Sequence, residues 1–152
     1  MLNSRPKLLA VSSGGGHWVQ MLRVRSAFEG SEVIYATVRP GYRSDIGDAE
    51  FHLIPDGNFS EKLKLVRVAF GVMLLILRVR PDVVVSTGAA PGYFAVRFAK
   101  WLGARVIWID SVANAEELSM SGRNAGRFVD LWLTQWPHLA HSNGPHYFGN
   151  VL

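Results

Sequence analysis

Three consecutive glycines, Gly14-Gly15-Gly16, stand between a short apolar run, Lys7 to Ser12, and a segment where Val19, Leu22, Val24 and Phe28 recur at roughly helical spacing. A glycine run at that junction makes a sharp strand-to-helix turn, because residues without a Cβ reach backbone conformations closed to the others. The chain therefore has to begin as strand, loop, helix. Glu32 to Val38, rich in β-branched and aromatic residues, reads as a second strand closed by the turn signal Arg39-Pro40-Gly41. A β-α-β unit is complete by residue 38.

The alternation continues. Residues 39 to 60 are loop-rich, holding Pro40, Gly41, Gly47, Pro55, Asp56, Gly57 and Asn58, with one short strand predicted at Phe51 to Ile54. A long helix is predicted over Ser60 to Val79. Asp82 to Ser86 is a nearly continuous valine run of the kind buried on both faces of parallel sheets. It is followed by Thr87-Gly88-Ala89-Ala90-Pro91-Gly92 and a helix to about Leu102, after which Arg105 to Ile109 repeats the buried-strand pattern. One more strand is predicted at Leu131 to Thr134, and the tail from Trp136 to Gly149 reads as loop. Buried strands alternating with helices predict an α/β fold: an open parallel sheet with helices on both faces and ligands at the carboxyl ends of its strands. The loops after Ser12, Ser86 and Ile109 are expected on one rim.

With 152 residues, 49% apolar and 18% charged, the chain is expected to form a single domain over 1–152 with a substantial core, and disorder is excluded. Sixteen basic residues, twelve of them arginine, outnumber twelve acidic ones for a net charge of +4. Arginine suits forked contacts with phosphate or carboxylate. Without a binding motif, so modest an excess argues against a nucleic-acid role. The absence of cysteine excludes disulfides, thiolate nucleophiles and cysteine-ligated metals, and fits a cytoplasmic setting. The stretch from Met1 to Lys7 lacks the ordered regions of a signal peptide. No metal site is expected: His138, His141 and His146 lack carboxylate or cysteine company, and Asp45 and Asp48 read as solvated loop residues rather than a metal-binding pair.

The glycine loop carries the most chemistry. Bare backbone amides approach an anion closely, and the helix that follows adds partial positive charge, so Gly14, Gly15 and Gly16 read as a phosphate cradle; a ligand-free tight turn is the alternative. The dinucleotide fingerprint fails at its last glycine, where Val19 stands, and no Gly-Lys-Ser or Gly-Lys-Thr follows a glycine loop. NAD and P-loop chemistry are thereby disfavoured. His17, at the start of the helix, is a candidate general base or, alternatively, a residue that only ties the turn. Asp110 and Ser111 end a buried strand at the same rim, where a carboxylate binds sugar hydroxyls, acts as an alternative base, or simply caps a helix.

Ser12-Ser13-Gly14-Gly15-Gly16-His17, Ser86-Thr87-Gly88-Ala89-Ala90-Pro91, Ile109-Asp110-Ser111 with Leu118-Ser119 and Ser121-Gly122, Asp130, and Thr134-Gln135-Trp136-Pro137 follow one another in order. Over nearly its whole length this pattern resembles the Alg-fourteen-like family. The Gly-Gly-Gly-His-Trp and Gln-Trp-Pro forms more closely resemble the bacterial PssD type of exopolysaccharide glycosyltransferase subunit. The glycine loop with its histidine and the Thr-Gly-Ala-Ala-Pro loop are more distantly similar to the amino-terminal half of MurG.

The resemblance implies a Rossmann-like domain, the N-terminal (acceptor) half of a GT-B glycosyltransferase. Such a subunit would bind a lipid-diphosphate-linked saccharide, while a separate small UDP-sugar-binding subunit, of the PssE or Alg-thirteen-like kind, supplies the donor. Glucuronic acid is the favoured sugar, with N-acetylglucosamine and galactose open. The carried-over roles are His17 and Asp110 as catalytic residues, and Ser13, Gly14, Gly15, Gly16, Thr87, Gly88, Ser111, Asn114 and Ser119 as acceptor- or phosphate-binding residues; no cofactor is implied. A non-catalytic membrane anchor that recruits the catalytic partner and a stand-alone nucleotide-binding protein are the rival readings.

Val68 to Leu77 is a run of ten residues without a polar side chain, with Lys62, Lys64 and Arg67 before it and Arg78 and Arg80 after. Ten helical residues span ~15 Å, half the hydrocarbon thickness, so the run is too short to cross a bilayer. It is expected either to lie in the headgroup zone at the cytoplasmic face of the inner membrane, with Val68, Phe70, Leu74, Leu75, Arg67 and Arg78 as contacts, or to be a buried crossover helix.

Overall fold

The β-branched and valine-rich runs form the strands of one sheet. In the computed structural model, which describes residues 4–152, these are β1 (Lys7–Val11), β2 (Glu32–Thr37), β3 (Glu50–Leu53), β4 (Val83–Ser86), β5 (Arg105–Ile109), β6 (Leu131–Thr134) and β7 (His146–Tyr147). Residues 1–3, part of the stretch read for a signal peptide, lie outside the described residues. The strand order is β3-β2-β1-β4-β5-β6-β7 and every pairing is parallel, with Leu9 opposite Ile34 on one side and Val84 on the other.

Four α-helices link the strands: α1 (Gly16–Val24), α2 (Lys62–Val79), α3 (Ala89–Trp101) and α4 (Met120–Ala125). Strand order runs outward from β1 in both directions, and right-handed crossovers then send α1 to one face and α2, α3 and α4 to the other. The alternation within strands follows. Leu9, Val11, Val84, Val106 and Trp108 pack against α2 and α3, whereas Leu8, Ala10, Val85 and Tyr35 pack against Trp18, Met21 and Phe28. The point where the order reverses lies between β1 and β4, so the loops after those two strands flank the crevice in which such sheets bind ligands.

Helix α2 has two unlike sides. Val68, Val72, Leu75, Ile76 and Val79 are buried at helical spacing against the sheet. Val68 and Leu75 are thus core residues, which corrects their expected role as lipid contacts: a ten-residue apolar run covers the whole helix circumference, and its inner third belongs to the fold. The outer side carries Leu63 (89% exposed), Val66, Phe70 (66%), Leu74 and Leu77, with Arg67 and Arg78 also exposed. No helix among the described residues is long and apolar enough to cross a membrane.

Three segments differ from the sequence reading. The helix expected from Ser60 starts at Lys62, because Asn58 takes the Ser60 amide on its side-chain oxygen (3.0 Å) and the Glu61 amide on its carbonyl (3.3 Å) in a preceding turn. The turn after β2 is a 3-10 helix, Pro40–Ile46. The tail read as loop contains β7, held by pairing of Leu133 with His146 and Thr134 with Tyr147. A two-residue strand has no period for a sequence to display.

Candidate functional site

The first rim loop leaves β1 at Ser12, whose amide donates to the Ala36 carbonyl (3.1 Å), and turns at Gly15, whose φ of +66° is left-handed. Helix α1 then starts with the Trp18 and Val19 amides on the Gly15 carbonyl, at 3.1 and 3.2 Å. Side chains placed on Gly15 or Gly16 would meet nothing within 4 Å. The outer edge of the loop is open space.

The first and second rim loops are tied by a reciprocal pair. His17 Nδ1 lies 2.8 Å from the Thr87 carbonyl oxygen, and Thr87 Oγ1 donates to the His17 carbonyl at 2.7 Å. A carbonyl only accepts, so Nδ1 carries a proton, and of the two neutral tautomers the contact selects the one whose Nε2 keeps its lone pair. The ring lies against Gly88, at φ +130°, where a Cβ would come within 2.5 Å of His17 Cε1. Gly88 donates its amide to Ser86 Oγ at 3.1 Å, and Ala89 follows at φ +64°, a conformation rare for a residue with a Cβ and characteristic of functional sites. Thr87 and Gly88, expected as acceptor contacts, both hold the imidazole.

The third loop is built around Asp110, which is 2% exposed. Its Oδ1 accepts from Trp108 Nε1 (3.2 Å) and Ser119 Oγ (2.5 Å), and its Oδ2 from the Ser119 amide (2.9 Å). Ser119 Oγ in turn accepts from the Gly122 amide at 2.8 Å and so caps α4. Asp110 is a buried anchor with its carboxylate engaged inside the loop; the cap of α4 is Ser119, so Asp110 supports the capping residue rather than capping the helix itself. Asp110→Ala is expected to destabilise the fold by about 3 kcal/mol, because it strands a buried indole N–H and a backbone N–H. Urea unfolding measures it, and a loss under 1 kcal/mol would contradict this role.

Ser111 Oγ accepts from Gln20 Nε2 (3.0 Å) and from the Ala113 amide (3.2 Å), and Gln20 Oε1 takes the Val112 amide (3.2 Å) and Gln135 Nε2. Gln20, on α1, and Gln135, after β6, thereby weld the glycine-loop helix to the third loop. Gln135 belongs to the Gln-Trp-Pro motif, whereas Gln20 did not stand out in the sequence, since a buried glutamine carries no spacing signal. Asn114 is half-buried near this weld, its amide on the Ser111 carbonyl at 3.0 Å. Of the expected site residues, Gly15, Gly16 and His17 face the open side of the rim, whereas Asp110, Ser111 and Ser119 are spent on internal bonds.

Sequence reading also passed over Arg39 and Tyr42, which lie against the glycine loop from the turn after β2. Tyr42 Oη accepts from the Gly15 amide at 2.9 Å, and a Cβ on Gly14 would sit 2.9 Å from Arg39 Nε. Asp45, read as solvated, accepts from Trp18 Nε1 at 2.8 Å.

A parallel sheet with its rim loops at the switch point, a glycine turn and a histidine tied to the neighbouring loop make a Rossmann-like domain, the fold of one half of the GT-B architecture. The solved structure of MurG from Acinetobacter baumannii is similar with a TM-score of 0.71 at 15% identity, covering 93% of this chain and 47% of that one. A UDP-N-acetylglucosamine 2-epimerase from Rickettsia bellii is similar with a TM-score of 0.66 at 15% identity, covering 88% and 40%. The chain spans about half the length of these proteins or less, and at such identity the likeness is one of fold.

Residues 54–151 match the family model described as oligosaccharide biosynthesis protein Alg14 like, and the chain belongs to that family. The UDP-N-acetylglucosamine transferase subunit ALG14 of Eremothecium gossypii is 30% identical, over 83% of this chain and 70% of its own length. That of Yarrowia lipolytica is 26% identical, over 91% and 77%. The chain is a glycosyltransferase subunit.

Proposed function

We propose that this chain is the acceptor-binding, membrane-associating subunit of a two-component inverting transferase that moves a sugar from a UDP-sugar to a lipid-diphosphate-linked saccharide. The observation that carries the reading is His17: its Nδ1–H is held by the Thr87 carbonyl, and Nε2 is left to act beside an open glycine loop. In this mechanism the Gly16 and His17 amides, at the amino end of α1, hold the acceptor's diphosphate in the space that Gly15 and Gly16 leave open. His17 Nε2 takes the proton of the acceptor hydroxyl as its oxygen attacks the anomeric carbon from the face opposite UDP. The bond to the UDP oxygen breaks, and UDP leaves with the electron pair. The donor is held by a small partner subunit of the PssE or Alg-thirteen-like kind, whose helix ends steady the departing diphosphate.

Two donors have support. The Gly-Gly-Gly-His-Trp and Gln-Trp-Pro motifs favour glucuronic acid and exopolysaccharide synthesis, while the relatives' names favour N-acetylglucosamine. The outward stripe Leu63, Val66, Phe70, Leu74 and Leu77, with Arg67 and Arg78 beside it, supports peripheral contact with the cytoplasmic face of an anionic membrane. The rival reading, a non-catalytic anchor for the catalytic partner, rests on that stripe alone.

The test is reconstitution of the full chain with its partner on anionic vesicles carrying a lipid-diphosphate saccharide and a panel of radiolabelled UDP-sugars. Label is expected in the lipid fraction from one UDP-sugar, only with both subunits present, and a Phe70→Ser/Leu74→Ser variant is expected to lose most vesicle binding. Tight UDP-sugar binding by this chain alone, or transfer without the partner, would overturn the two-component reading.

A further inference from the structure

The turn after β2 is more than punctuation. Pro40 restricts the residue before it to extended backbone, and Arg39, at φ −121° and ψ 123°, lies along the glycine loop. A side chain on Gly14 would stand 2.9 Å from Arg39 Nε and 3.4 Å from its Cδ. Gly14, unlike Gly15, is not at a left-handed φ. What its bare backbone provides is the seat for the arginine. Among the described residues no carboxylate pairs with the Arg39 guanidinium, which leaves its donors available.

Tyr42 stands one helical turn further on. Its ring stacks on Trp18 with centroids 5.0 Å apart and planes within 6°, and Trp18 is buried and anchored to Asp45 of the same 3-10 segment. The phenol oxygen accepts from the Gly15 amide at 2.9 Å. A phenol that accepts in this way still has its own proton to give. The stack holds the phenol oxygen at the glycine loop, on the Gly15 amide and beside the space left by Gly15 and Gly16.

We propose that Arg39 and Tyr42 are diphosphate-binding residues of the acceptor site. The forked guanidinium takes oxygens of the diphosphate, and the Tyr42 hydroxyl, oriented by the Gly15 amide, donates to another. The proposal rests on the reading of this chain as the acceptor-binding subunit and adds two residues to it, both outside the three rim loops that the sequence motifs mark.

The test measures binding of a synthetic phytanyl-diphosphate-N-acetylglucosamine to the full chain in detergent micelles by titration calorimetry, with the matching phytanyl monophosphate as control. Arg39→Gln is expected to weaken the diphosphate lipid by roughly 10- to 100-fold. Monophosphate binding is expected to weaken less, and Arg39→Lys to fall between, since an ammonium restores the charge without the fork. Tyr42→Phe, which keeps the stack on Trp18, is expected to weaken the diphosphate lipid by about tenfold. Unchanged melting temperatures separate these losses from misfolding. Wild-type binding of the diphosphate lipid with both Arg39 variants within twofold of it would overturn the inference while leaving the acceptor reading intact. A wild-type chain that binds neither lipid would overturn both.

Discussion

Replacement of His17 by alanine is expected to lower kcat of the reconstituted transferase by roughly 10²- to 10⁴-fold, the range for loss of a positioned general base. The acceptor KM should move much less, because in the proposed mechanism the diphosphate is held by the loop amides, Arg39 and Tyr42 rather than by the imidazole. His17→Asn sharpens the test. Its amide N–H is placed to reach the Thr87 carbonyl as Nδ1 does at 2.8 Å, yet it has no basic nitrogen on the far side. Both variants should therefore fail in kcat while binding partner and membrane normally. Turnover retained in His17→Asn would remove the base from the mechanism and favour the anchor reading.

The Gly88→Ala substitution is expected to be nearly as severe for activity without touching any reacting atom. A methyl group at that position would sit 2.5 Å from His17 Cε1 and 2.7 Å from Nδ1, at a backbone φ of +130° that an L-residue rarely adopts. The imidazole has to move or the loop has to refold, and either outcome breaks the His17–Thr87 pair. The fold should lose about 1–3 kcal/mol from strain and crowding, by urea unfolding. The decisive measurement is a double-mutant cycle. If Gly88 acts through His17, the two substitutions together should cost little more in kcat than His17→Ala alone. Full additivity would mean that the second loop contributes independently of the imidazole.

The sheet was legible because its strands are buried on both faces: continuous runs such as Val83–Val85 leave little room for another reading, and Arg105–Ile109 and Leu131–Thr134 coincide with β5 and β6. The common rim was legible too, since parallel strands must all end on the same side. What escaped was set by contacts distant in sequence. Asp110 sits at a motif position, but Ser119, nine residues on, and Trp108 absorb its carboxylate in the folded loop. Arg39 and Tyr42 were masked by Pro40 and Gly41, whose turn signal says that the chain bends but not what it bends onto. In α2 an apolar run hid a two-sided helix, because periodicity vanishes when both sides are hydrophobic.

Sheet order also bears on how this chain is made. The central strand β1 leaves the ribosome ahead of the other strands of the sheet and finds β2 within about 25 residues, but its other neighbour, β4, begins only at Val83, so Leu8 waits for Val83 until the whole stretch between them has been synthesised. During that interval a hydrophobic strand stands with one row of amides and carbonyls unclaimed, an invitation to mispairing between nascent chains. Slow translation across residues 40–82 is therefore expected to lengthen the exposure of that edge.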